Sequence, residues 1–71
     1  MKLLNSKQQN EILKRIAECQ NICNDYIDDV DVVTRMTENL ADIAIEVAGN
    51  KGATRVIYEV DKYNKIKEVE E

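Results

Sequence analysis

The sequence predicts an all-α fold, an antiparallel helical hairpin with a short third helix, completed by dimerisation. Two observations carry this. Apolar residues recur every three or four positions through two long stretches. No proline interrupts either stretch, and the two glycines, Gly49 and Gly52, stand together after the second.

A helix over 6–27 starts at Ser6, which with Gln9 three residues later has the spacing of a capping box. Ile12, Ile16, Cys19, Cys23, Tyr26 and Val30 then follow at steps of three and four, with Leu13 and Ile27 widening the stripe. Glu11, Lys14, Glu18, Asn21, Asp25 and Asp28 occupy the other side. Residues 25–34 are rich in aspartate and β-branched side chains, which weaken a helix, so a connection is expected at 28–31 with Asp29 or Asp31 as the next cap.

The second helix, 31–48, carries Val33, Met36, Leu40, Ile43 and Val47 beside a row of small residues, Thr37, Ala41, Ala44 and Ala48. Asp31, Arg35, Glu38, Asp42 and Glu46 form its opposite face, where Arg35 is spaced to pair with Asp31 and Glu38. Gly49-Asn50-Lys51-Gly52 supplies the stop. The third element, 53–66, is open between strand and helix over 54–60: Val56, Ile57, Tyr58 and Val60 favour a strand. A lone strand would lack a partner, so helix is preferred. Arg55–Glu59 and Asp61–Lys65 would then be ion pairs one turn apart, and the tail from Lys65 to Glu71 is expected to fray. A competing architecture continues one heptad register from Ile12 to Val47 and makes 6–48 a single coiled-coil helix.

All 71 residues are read as one domain, too short to build a large core alone. The apolar arc of the second helix is wider than one neighbour needs. A homodimer is therefore expected, with Val33, Met36, Leu40 and Val47 against the partner copy or the first helix. The beginning of the chain lacks the apolar stretch of a signal peptide, no run is long enough to span a membrane, and two cysteines do not make a disulfide framework. A cytoplasmic setting is expected.

The net charge of −4 is unevenly spread. Residues 1–15 hold four bases against one acid, residues 16–48 hold one base against eight acids, and the remainder is balanced. An acidic middle fits docking to a basic surface, and direct nucleic-acid binding is not expected.

Constellations for chemistry are poor. Histidine is absent, which removes the commonest general base and metal ligand. Cys19 and Cys23 lack the spacing and partners of a zinc or redox pair and are read as small core residues. Asp25, Asp28, Asp29 and Asp31 resemble a calcium loop, but Val30 and Met36 fall where that loop needs glycine and glutamate. Gly49 to Gly52 lacks the phosphate-loop pattern. No catalytic residue, cofactor or metal is therefore expected.

The functional expectation is a non-enzymatic protein–protein interaction module, an inhibitor or adaptor of the kind carried by phages and mobile elements. It would dock a partner with a basic, nucleic-acid-binding surface through Asp25, Asp28, Asp29, Glu38 and Asp42. The alternative is a dimer that sequesters a small ligand or nucleotide, with Arg15, Lys51, Arg55 and the tyrosines supplying charge and stacking.

Overall fold

In a computed structural model, which describes residues 4–70, the chain forms three α-helices: α1 (Ser6–Tyr26), α2 (Val30–Ala48) and α3 (Asn50–Glu70). Each helix packs against both others in a body of 42 × 27 × 16 Å. No strand occurs among the described residues, so 54–60 is helical. The third helix is not short. It extends beyond the expected 53–66 at both ends and matches α1 in length, 21 residues each.

The chain leaves the helix between Tyr26 and Val30, which excludes a single coiled-coil helix over 6–48. The break is chemical. Asp29 adopts an extended backbone, and its carboxylate accepts from the amides of Asp31 (3.0 Å) and Val32 (3.3 Å), satisfying two orphan donors of α2. At the front of α1 the cap lies one residue earlier than expected. Asn5, not Ser6, accepts from the Gln8 amide at 2.8 Å, and the Gln8 side chain accepts from the Asn5 amide at 3.0 Å. Asparagine serves this role at least as well as serine, and Ser6 becomes the first helical residue.

Between α2 and α3 a single residue makes the turn. Gly49 sits at φ 66°, ψ −158°, a region that side chains strongly disfavour, and its amide donates to Ile45 O at 2.7 Å. Gly52, read from sequence as part of the stop, lies inside the first turn of α3. A Cβ there would overlap the carbonyl of Ala44 and crowd Ala48, so this glycine lets α3 touch the α2 backbone.

The core is small: Leu13, Ile16, Ala17, Cys23, Ala44 and Val56, with Ile12, Leu40, Val47, Ala48 and Val60 packed partly around it. The buried stripe of α1 is rotated from the expected one. Cys19 is exposed, as are Tyr26 and Val30, while Ala17, Gln20 and Asn21 are buried. The cause is that α1 has two neighbours. Its most enclosed direction falls between them, along Leu13, Ala17 and Gln20, and the Cys19–Tyr26 edge is left at the outer side of α2.

Ion pairs among the described residues join Arg15 to Glu11 and Glu18, Arg55 to Glu59, and Lys67 to Asp25. The expected Arg35–Asp31, Arg35–Glu38 and Asp61–Lys65 pairs are not among them.

Candidate interaction surfaces

The five acids expected to form one docking face have separate positions and tasks. Asp29 is consumed as the α2 cap. Asp25, at the end of α1, faces α3: its carboxylate accepts from Tyr63 Oη at 2.8 Å and Lys67 Nζ at 2.7 Å. These bonds, Lys67 first, hold the Asp25 carboxyl below its ordinary range, and the same carboxylate raises the Tyr63 phenol. Asp28 lies exposed in the first connection, and Glu38 and Asp42 stand exposed on α2.

Glu38 and Asp42 belong to a larger feature. At 100° per residue, Asp31, Glu38, Asp42 and Glu46 fall within an arc of about 80° on the solvent side of α2, with Arg35 as its one base. Asp31 and Glu46 stand on the polar face that the sequence predicts for this helix, although neither is among the five acids expected at the docking site.

Beside this ridge, α2 and α3 diverge from their contact at Gly52 and leave a cleft of about 260 Å³. Its walls are Thr37, Leu40 and Ala41 from α2 and Ala53, Val56, Ile57, Val60 and Asp61 from α3. Its floor is Gln20 and Asn24, where Gln20 Nε2 donates to Asn24 Oδ1 at 2.8 Å. The buried glutamine is thereby satisfied in the core. A second groove of about 220 Å³ runs between α1 and α3, lined by Lys14, Glu18, Asn21, Lys62, Tyr63 and Ile66 among others, and the Asn21 Oδ1 there has no hydrogen-bond partner.

The residues expected at a dimer interface are each half-buried within the chain. Leu40 and Val47 pack on the core cluster, Met36 Sδ lies 4.0 Å from Cys23 Sγ, and Val33 accepts the Thr37 hydroxyl through its carbonyl. Of the residues named for a nucleotide-like ligand, Lys51, Arg55 and Tyr58 gather on one shallow face of α3, with Arg55 held by Glu59 at 3.1 Å. Arg15 is engaged on α1 and Tyr63 on Asp25, so they do not join that group.

Burial of Cys23, with Cys19 one turn away, pushes its thiol up. Among the described residues no group of three ligating side chains is arranged for a metal ion, and no helix is long and apolar enough to cross a membrane. No family model matches the chain, and no curated protein or solved structure does either.

Proposed function

We propose that this chain is a non-enzymatic interaction module, an inhibitor or adaptor of the cytoplasm that docks the basic surface of a partner protein. The observation that carries this is the α2 ridge: four carboxylates on one exposed arc, bordering a cleft with apolar walls. Carboxylates in solvent steer a basic partner and fix its register, while an apolar anchor seated beside them supplies affinity. The partner class is a protein whose own basic surface contacts nucleic acid. In the same reading α1 and α2 act as an antiparallel hairpin closed by α3, and two copies associate.

The test is capture of a partner from the native host by the tagged full chain, set against the triple variant Asp28→Lys, Glu38→Lys, Asp42→Lys. Asp25 and Asp29 are left intact because they hold the fold. Retention of one protein in stoichiometric amount, lost with the variant and weakened by salt, is the expected result. Equal capture by the variant would defeat the electrostatic reading.

The nucleotide-sequestering alternative is favoured by the grouping of Lys51, Arg55 and Tyr58 on α3. Thermal stabilisation by a nucleotide, abolished by Arg55→Ala, would move the assignment there.

A further inference from the structure

We infer that a second copy of this chain packs, about a two-fold axis, on the outer face shared by α1 and α2, leaving Glu38 and Asp42 of the acidic ridge open to a different partner. This rests on the self-association proposed above and assigns it to one face.

The first argument is area. A compact protein of 8.2 kDa exposes about 4,500 Å². This chain exposes 5699 Å², an excess of about 1,200 Å², whereas a standard interface takes about 800 Å² from each partner. The uncovered surface includes large apolar side chains, Tyr26 at 81% exposure and Ile43 at 47% among them.

The second argument is charge. Turning outward from the core on the side where α1 meets α2, each helix presents an uncharged arc of about 80°. On α1 it holds Ile12, Cys19 and Tyr26, and on α2 Val32, Met36 and Ile43. The polar members of the two arcs are Gln8 and Asn39. Cys23 Sγ against Met36 Sδ marks where the two helices meet beneath this face. In a chain that is 34% charged, a face this long without a charge suits an isologous contact, because a two-fold turns a patch onto its own copy and would turn any single-sign charge in it toward like charge.

The α2–α3 side fails that condition. Its cleft is lined by Asp61, and Glu38 lies about 60° around α2 from Ala41 in its wall, so two copies joined there would bring carboxylates together. Beyond the uncharged face, the next residues are Arg15 on α1 and Glu46 on α2. Laying α1 of each copy over α2 of the other sets the two uncharged arcs face to face, with Arg15 outside the seam and already paired to Glu11 and Glu18. The result is a four-helix contact built from two α1 and two α2 helices.

Sedimentation velocity on the full chain at high micromolar concentration tests this. The expected species has twice the 8.2 kDa chain mass. Ile43→Glu and Tyr26→Glu, both at exposed positions of the single chain, should keep a helical circular dichroism spectrum and raise the dimer Kd at least about 10-fold. Ile57→Glu and Glu38→Lys should leave the dimer intact. A wild-type chain that sediments as a monomer overturns the inference, and so does a dimer broken by Ile57→Glu but not by Ile43→Glu. A monomer that still captures a partner sinks the dimer and spares the docking reading. A dimer that captures nothing does the reverse.

Discussion

Where α2 passes into α3, one residue makes the turn and the two helices meet backbone against backbone; where α1 passes into α2, three residues intervene and oxygen atoms of side chains hold the elements. At the first end the contact is steric. Gly52 lies so close to Ala44 that no added carbon fits, and Gly49 supplies a backbone conformation that other residues resist. At the second end the ties are polar: Asp29 on two amides, and Asp25 on Tyr63 and Lys67. Close packing leaves little room for an added carbon, whereas an ion pair in solvent is worth little and a helix cap about 1 kcal/mol. The difference teaches that this bundle is fixed at one end by shape and adjusted at the other by charge.

The largest effect is expected from breaking the steric end. Gly52→Val drives a side chain into the Ala44 carbonyl and should cost about 1–3 kcal/mol, a large share of the roughly 3–5 kcal/mol that a core of this size supplies. Urea unfolding followed at 222 nm reads the loss, and a midpoint unchanged from wild type would mean that α3 does not approach α2 this closely. Next comes the cap. Asp29→Ala leaves two α2 amides without their carboxylate and should cost about 1 kcal/mol in the same measurement, with Asp29→Asn recovering most of it.

The smallest effect belongs to Asp25, and it appears as a pH dependence. Its folded pKa is depressed by Lys67 and Tyr63, so its contribution is full above the unfolded carboxylate value near about 4 and is lost as pH falls through the folded value. The Tyr63 phenol is raised, so its contribution is full below the unfolded value near about 10 and lost as pH climbs through the folded one. Thermal melts of wild type and Asp25→Asn should therefore differ most near neutrality and converge in acid. Parallel curves from acid to neutral pH would remove the tie.

Much of the fold was legible because helical period is a local property. The spacings from Ile12 to Cys23 and from Val33 to Val47 announce α1 and α2 without reference to anything distant. The β-branched run at 54–60 pointed toward a strand, and helix prevailed because Val56 and Val60 had a bundle to pack on. Which side of α1 is innermost was not legible. That depends on where α3 lies, and nothing near Gln20 or Asn21 signals their burial.

Gly52 was misread for a similar reason: its role is set by Ala44, eight residues earlier and on another helix. The acidic ridge of α2 could be drawn on a helical wheel. The internal task of Asp25 could not, because its partners lie 38 and 42 residues away.

The thinness of the core has a calorimetric consequence. Among the described residues six apolar ones are buried, and no large side chain is completely enclosed. Unfolding a lone chain therefore hydrates little new hydrocarbon. Its heat-capacity increment falls below the roughly 0.9–1.1 kcal/mol/K usual for 71 residues. A small increment flattens the dependence of stability on temperature, and a small enthalpy spreads the melt over many degrees. A lone chain with so thin a core is expected to have a low, wide stability curve and a broad thermal transition.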